Sequence, residues 1–370
     1  MKSASSYSAN LIISAIILSV FGIIFIFTAS SIPAAQRYGD LFFFPKRQLI
    51  SLGLGVISGA LLLKLPIRNI ARLAFPGFIL TTLLLVATLI PYFGHTVNGA
   101  SRWLRWGMIS FQPAELSKLV LILFLAKNLA RPNFSGLHRL SGLLSCIFPL
   151  MVFSILLMLQ PDFGTTFLLS LICFSMVFVC GLPIKLVASG LITGLLAIGI
   201  AIWQAPYRMK RITSFIDPWE SAQSGGFQII QSYLGFHNGG LLGVGLGGSR
   251  QKLYFLPEAH TDFILSVIGE ELGLIGVSFI ILLFGFMIWN GFKITERQTD
   301  IFAKLLAFGL TCLISVQATI NMGVAMGLLP TKGMPLPFIS HGSSSLVVFL
   351  WVVAILARLN YESDHLHERQ

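Results

Sequence analysis

Long apolar segments alternate with short polar ones along most of this 370-residue chain. At least eight apolar runs are long enough to cross a bilayer, which takes about 20 helical residues. The pattern predicts a single domain, 1–370, of about ten transmembrane helices. They cover residues 10–30, 49–65, 72–91, 114–129, 143–159, 163–180, 182–204, 263–290, 303–329 and 338–358.

The composition supports a membrane protein. Hydrophobic residues make up 55% of the chain and charged residues 11%, with a mean hydropathy of +0.84. Soluble domains carry about 25% charged residues, so soluble, disordered and disulfide-stapled classes are excluded. In a membrane protein, a net charge of +11 is explained by basic residues that set the orientation of the helices and contact anionic lipid. It does not indicate nucleic-acid binding. The four cysteines lie in apolar runs and are interpreted as core residues, and the histidines form no metal-spaced cluster.

The distribution of basic residues predicts the orientation of the helices. An even number of spans puts both termini on one side, where 13 of the 25 Lys and Arg residues fall. Their density is about twofold higher on that side, which predicts cytoplasmic termini. One large extracytoplasmic loop, 205–262, then joins helices seven and eight. Ordered loops of this length usually carry function.

Five polar clusters fall on the predicted outer face. Their convergence predicts one site, although five separate solvated loops would give the same pattern. The clusters are 97–103, 111–118, 160–162, 257–263 and 329–333.

The carboxylates Glu258 and Asp262 are spaced i, i+4 at the start of the eighth predicted helix. A partly desolvated Asp262 would have a raised proton affinity and would suit a general base. The alternative is a helix cap made by Thr261 or Asp262. From spacing alone the two interpretations are equally supported, and Glu258 is either a cap or an orienting group.

Cationic and aromatic side chains accompany these carboxylates. Glu115 and Lys118 are spaced i, i+3, either as a self-neutralising pair or as a pair that positions a polar headgroup. Arg102 and Lys332 lie where membrane insertion requires no cation, so an anionic ligand such as phosphate would explain them. Snorkelling is the competing explanation. Trp103 is typical of an interfacial belt, or of a sugar-stacking surface.

The predicted eighth helix also contains Glu270 and Glu271, for which we favour pairing with a basic residue from another helix over a proton path. One base and several cations suit glycosyl transfer from a lipid pyrophosphate, which needs no general acid, unlike two-carboxylate glycosidases. Transport of an anionic lipid would use the same residues.

Seven motifs carry a resemblance to the SEDS family (shape, elongation, division and sporulation) over nearly the whole chain, closer to its division members. They are VNGASRW at 97–103, FQPAELSK at 111–118, QPDFGT at 160–165, ITSFIDPW at 212–219, PEAHTDF at 257–263, IGEELGLIG at 268–276 and LLPTKG at 328–333.

The resemblance implies a GT-C-like, all-α polytopic fold and an inverting peptidoglycan glycosyltransferase. Such an enzyme polymerises lipid II outside the bacterial inner membrane, with Asp262 as the essential aspartate. Expected partners are lipid II, membrane lipids, an FtsI-like class B penicillin-binding protein and other divisome membrane proteins. A divalent cation (Mg or Mn) would share the pyrophosphate charge, but no dedicated ligands are evident. The substrate-binding candidates are Arg102, Trp103, Gln112, Glu115, Lys118, Glu258, His260, Lys332 and Ser340.

One stretch departs from the family pattern. The family usually reads Ser-Tyr-Gly-Gly-Ser-Ser before its last span, whereas His341 and Ser343 replace the Tyr and the second Gly in this chain. If backbones approach closely at Ser343, packing must differ there, and if the family's Tyr hydroxyl contacts substrate, His341 changes affinity or pH dependence. Catalysis by Asp262 is expected to be unaffected. The alternatives to an enzyme are a lipid II flippase and a non-enzymatic divisome scaffold.

Overall fold

The computed structural model describes residues 4–97, 100–106, 109–131, 140–181, 199, 206–223, 225–251, 256–257 and 259–367. These residues form twelve helices and one small sheet. The helices are α1 (Ala4–Tyr38), α2 (Phe43–Lys64), α3 (Ile67–Arg72), α4 (Ala74–Leu89), α5 (Pro113–Leu129), α6 (Leu140–Leu159), α7 (Phe163–Val179), α8 (Pro206–Ile216), α9 (Phe227–Gly239), α10 (Ile264–Glu296), α11 (Ile301–Ala325) and α12 (Ser343–His367).

Five of these helices, α1, α2, α10, α11 and α12, are long and apolar enough to cross a membrane. Shorter apolar helices lie at Ala74–Leu89, Leu144–Leu159 and Phe163–Val179. The predicted membrane-spanning helical fold is confirmed, with boundaries that differ by several residues. The predicted helix 182–204 lies almost entirely outside the described residues.

The central helices are buried around most of their circumference, which is typical of helices enclosed by a bundle. α5 and α11 bury nearly every turn, whereas α2 and α4 expose apolar side chains such as Ile57 and Leu83. α2 packs along α12, and α1 packs along α10. Gly22 of α1 permits a close backbone approach, because a Cβ there would lie 2.7 Å from Cα of Ile339.

A three-stranded antiparallel sheet precedes α5, an addition to the all-helical prediction. It consists of β1 (Gly94–Val97), β2 (Ala100–Trp106) and β3 (Ile109–Phe111), in that order. Gly94 pairs with Leu104, and Leu104 pairs with Phe111. Strands this short carry too few alternating positions to be distinguished from a loop in the sequence.

Both ends of the bundle are defined by contacts between distant segments. At one end, the site end, Gln48 donates to the carbonyl oxygen of Ser340, and Gln160 donates to that of Leu85. At the opposite end, Arg297 pairs with Asp364 near the end of α12. The five polar clusters predicted to converge all have described residues at the site end.

α10 is interrupted at Gly273, whose φ of 64° and ψ of −161° are non-helical. The 240–245 segment supplies backbone partners at this break: Val244 N–H donates to the Glu270 carbonyl, and Leu274 N–H donates to the Gly240 carbonyl. The Glu270 carboxylate accepts hydrogen bonds from the Ser249 hydroxyl and from the backbone amides of residues 250 and 251. Among the described residues, loop donors therefore contact the Glu270 carboxylate, and the expected pairing of Glu270 and Glu271 with a cation from another helix stays a prediction.

Candidate active site

A polar cavity of about 340 Å³ opens at the site end. Its walls come from β2, the approach to α5, α8, α9, the start of α10 and the segments on either side of residue 335. The lining residues are Ala100, Arg102, Trp103, Gln112, Arg211, Gln228, Thr261, Asp262, Phe263, Thr331, Lys332, Gly333, Pro335, His341, Gly342 and Ser345.

Asp262 lies on the cavity wall just before α10. The N-cap position of α10 belongs to Phe263, which makes no side-chain cap hydrogen bond, and the alternative of a cap made by Thr261 or Asp262 stays a prediction. Asn321 of α11 donates to the carbonyl oxygens of Asp262 (3.1 Å) and Met334 (2.7 Å). The Gly333 backbone passes close by, since a Cβ there would lie 3.5 Å from Asp262 Oδ2. These contacts fix Asp262 against the 333–334 segment.

Arg102 joins the sheet to the turn between α6 and α7. Its Nε donates to the Gln160 carbonyl at 3.2 Å, and its Nη2 donates to the Pro161 carbonyl. Asp162 in the same turn caps α7 by accepting from Thr165 N–H at 3.2 Å. The guanidinium is thereby oriented by main-chain oxygens, which leave its positive charge uncompensated for a ligand.

Lys332 contributes a second cation to the cavity lining. Its ammonium nitrogen lies 3.7 Å from the ring centroid of Phe167 and makes a cation–π contact. Burial lowers the pKa of Lys332 to about 8, because removal from water disfavours the charged form. An anion in the cavity would restore the favourable environment for that charge.

Arg211 of α8 is a third cation, which the sequence analysis missed. It lines the cavity and donates to the Thr331 carbonyl at 3.2 Å. Its signal in the sequence was a basic residue in the long predicted outer loop, directly before the ITSFIDPW motif. Gln228 and Ser345 were not among the predicted site residues, since isolated polar residues carry no distinctive spacing, and Thr331 was predicted only as part of the cluster 329–333.

The Glu115–Lys118 pair lies beneath the cavity and not on its wall. Lys118 Nζ donates to Glu115 Oε1 at 2.7 Å and to Gln317 Oε1 at 2.8 Å, with the paired side chains 1% and 3% exposed. Gln317 in turn donates to the Pro335 carbonyl at 2.9 Å. The pair is thus connected to the cavity-lining segment through Gln317, and the direct substrate contact predicted for it stays a prediction.

His260, Ser340 and His341 pack at the edge of the site. His341 N–H donates to the His260 carbonyl at 2.9 Å, and Phe44 contacts both imidazole rings. Ser340 donates to the Thr261 carbonyl. Burial, with smaller contributions from the neighbouring His260 and Arg47, lowers the pKa of His341 to about 3. His341 therefore faces the cavity as a neutral side chain.

The structure brings five predicted residues into the lining of one cavity: Arg102, Trp103, Gln112, Asp262 and Lys332. His260 and Ser340 lie next to the wall, and Glu258 lies outside the described residues.

Among the described lining residues are three cations and one carboxylate, an arrangement suited to a ligand with multiple negative charges. Within the described part of the chain, no group of three or more His, Cys, Asp or Glu side chains is arranged to hold a metal ion.

These features define a multi-pass helical membrane protein with a cationic cavity at one end of its bundle. The chain belongs to the FtsW/RodA/SpoVE family of cell cycle proteins, whose family model matches residues 8–365.

Two curated relatives cover nearly the whole chain. The "Probable peptidoglycan glycosyltransferase FtsW" of Geobacter sp. (strain M18) is 38% identical over 97% of this chain and 98% of its own length. "Stage V sporulation protein E" of Bacillus subtilis (strain 168) is 39% identical over 96% of this chain and 97% of its own.

Solved structures share the fold. A chain described under "Structural coordination of polymerization and crosslinking by a peptidoglycan synthase complex" superposes with a TM-score of 0.78, at 30% identity, over 95% of this chain and 97% of that one. The rod shape determining protein RodA of Thermus thermophilus superposes with a TM-score of 0.71, at 26% identity, over 95% of this chain and 96% of its own.

Proposed function

We propose that this chain is a peptidoglycan glycosyltransferase that polymerises lipid II for septal wall synthesis during cell division. The observation that carries the proposal is Asp262 on the wall of a cavity that also holds Arg102, Arg211 and Lys332. Relatives named as peptidoglycan glycosyltransferases, at 38–40% identity over nearly the full length, support the same reaction.

The proposed reaction is a single displacement. The Asp262 carboxylate accepts the proton of the GlcNAc 4-hydroxyl on one lipid II molecule. The hydroxyl oxygen attacks the anomeric carbon of the donor MurNAc, whose bond to the pyrophosphate oxygen breaks. The lipid pyrophosphate leaves with the bonding electrons, and an α-linked donor gives a β-1,4-linked product.

The cations act on the leaving group. Arg102, Arg211 and Lys332 are proposed to bind the pyrophosphate, whose negative charge grows as the glycosidic bond breaks. Trp103 offers an aromatic face for a sugar ring. Glu115 and Lys118 are proposed to act through Gln317, which holds the cavity-lining segment in place.

The site is proposed to face the extracytoplasmic side of the inner membrane, with both termini in the cytoplasm. The basic residues near the termini and helix connections support this orientation. A class B, FtsI-like penicillin-binding protein is the proposed partner for crosslinking, alongside other divisome membrane proteins. Similarity to a chain of a peptidoglycan synthase complex that coordinates polymerization and crosslinking supports such a partner.

The test is glycan synthesis from purified lipid II by the chain reconstituted with a transpeptidase-inactive class B partner. Asp262→Asn is expected to abolish polymerisation while the chain still folds. Asp40→Asn is the matched control, because Asp40 lies at the same end in an exposed pair with Lys46 that contributes little stability.

Each outcome of this test separates the hypotheses. Glycan from the unaltered chain and from Asp40→Asn, but none from Asp262→Asn, supports the enzyme and its base. Equal glycan from all three chains overturns the role of Asp262. No glycan from any chain in an intact complex favours a lipid II flippase or a scaffold.

A further inference from the structure

A second cavity, of about 350 Å³, lies between α9 and the first part of α10. Its lining is almost entirely apolar, formed by aromatic, aliphatic and glycine residues with one tyrosine. The glycine at 269 is essential to its shape, because a Cβ there would lie 2.4 Å from the Phe236 ring. The lining side chains that the structure describes carry no charge, which makes this an apolar cleft, unsuited to a sugar or a phosphate.

The apolar cleft and the polar cavity share two structural elements. On α9, Gln228 lines the polar cavity, whereas Tyr233 and Phe236 line the apolar cleft. These positions are five to eight residues apart, or about 8–12 Å along a helix. On the segment after α11, Met326 lines the cleft and Lys332 lines the cavity.

The mouth of the apolar cleft faces an apolar surface. Leu274 lines the cleft and is 55% exposed, and Leu328, close to Met326 in the chain, is 69% exposed. The neighbouring 240–245 segment also presents Leu241 and Leu242 outward. In a membrane-spanning chain such exposed leucines face lipid, so the cleft is accessible to a hydrocarbon chain moving within the bilayer.

We propose that the apolar cleft binds the first part of the polyprenyl chain of the lipid-linked substrate while its pyrophosphate occupies the polar cavity. The inference rests on the proposed function and assigns a lipid-chain subsite to it. The lipid-linked substrate has a charged pyrophosphate next to an apolar chain. The protein likewise has a polar cavity next to an apolar cleft, and both are lined by residues of α9.

The first experiment compares lipid II carrying its undecaprenyl chain with an analogue whose pyrophosphate carries a methyl group in place of the polyprenyl chain. Leu274→Trp fills the mouth of the cleft, and Ile275→Trp is the matched control. Ile275 is the next residue, is 62% exposed and does not line the cleft. Leu274→Trp is expected to raise KM for the long-chain substrate by roughly tenfold while barely changing KM for the methyl analogue. Ile275→Trp is expected to change neither.

A second experiment needs no turnover. The photoreactive residue p-benzoylphenylalanine is placed at Leu274 or at Ile275, and the chain is illuminated in phospholipid vesicles with undecaprenyl lipid II. Crosslinks to lipid II from position 274, and only to phospholipid from position 275, support the proposal. Crosslinks only to phospholipid from both positions overturn it.

The outcomes separate the subsite from the function. If the unaltered chain polymerises both substrates with equal KM, the subsite is wrong and the glycosyltransferase stands. If neither substrate is polymerised by any chain in the intact complex, the proposed function itself fails. Should Leu274→Trp fail to fold, Val277→Phe fills the same cleft from its buried side.

Discussion

Replacing Lys118 with Met would leave the Glu115 carboxylate as an uncompensated charge inside the bundle. At 2.7 Å and an effective dielectric constant of about 20, the gross attraction of this pair is about 6 kcal/mol. Desolvation offsets most of that attraction, but removing one partner of a buried pair costs about 3–5 kcal/mol. The substitution also removes the donor to Gln317. We therefore expect Lys118→Met to destabilise the chain by about 3–5 kcal/mol.

The double variant Glu115→Leu/Lys118→Met removes both charges and is expected to recover most of this stability. Lys127→Met, on the same helix but partly exposed, controls for the loss of a lysine. The assays are denaturant unfolding of the purified chain and polymerisation of lipid II. Equal destabilisation in the single and double variants would refute the energetic reasoning. A stable double variant without polymerisation would show that the pair supports activity beyond its effect on stability, as expected if it positions the cavity-lining segment through Gln317.

Three further predictions concern the polar cavity and the packing around it. Because the pKa of Lys332 is about 8, its positive charge is lost above that value, so KM for lipid II should rise between about pH 7 and about pH 9. Lys332→Arg should remove this rise, and a flat profile in the unaltered chain would contradict the assignment. His341 has a pKa of about 3 and therefore stays neutral above about pH 5. The unaltered chain and His341→Tyr should then give the same pH profile of polymerisation in that range. A step near pH 6.5 in the unaltered chain alone would refute this. Gly22→Ala places a Cβ 2.7 Å from backbone atoms of Ile339 and should destabilise the chain by about 1–3 kcal/mol in denaturant unfolding. The control Gly53→Ala has open space around it and should be neutral or slightly stabilising; equal stabilities of the two variants would contradict the packing.

Much of the fold could be predicted because each bilayer-crossing helix needs a long apolar run. The runs at 263–290 and 303–329 correspond to α10 and α11 with small shifts. The break at Gly273 was not predicted, because its backbone partners come from the 240–245 segment and such pairing leaves no local signal. The small sheet was not predicted for a related reason, since its short strands are stabilised by pairing with one another and not by a local sequence pattern.

The candidate site was predicted where a charge occupied an unusual place in a motif, as with Asp262, Arg102 and Lys332. Arg211 was missed because a basic residue in a long loop is ordinary until the fold brings it to Thr331. The burial of Lys118 could not be predicted from the sequence either, because an i, i+3 ion pair has the same spacing at an exposed helix end as in the protein core. Its partner Gln317 lies 199 positions away.

The walls of the polar cavity come from residues as far apart as Ala100 and Ser345. Ribosomes deliver the chain from its N-terminus, so Asp262 reaches the membrane before the last helix has been made. Until then Gln112 lacks the Ser344 hydroxyl that accepts its N–H, and Gln48 lacks the Ser340 carbonyl. A nascent or prematurely terminated chain therefore holds the reactive carboxylate without an enclosed site. Synthesis of the final span is therefore the step that supplies the last part of the cavity lining.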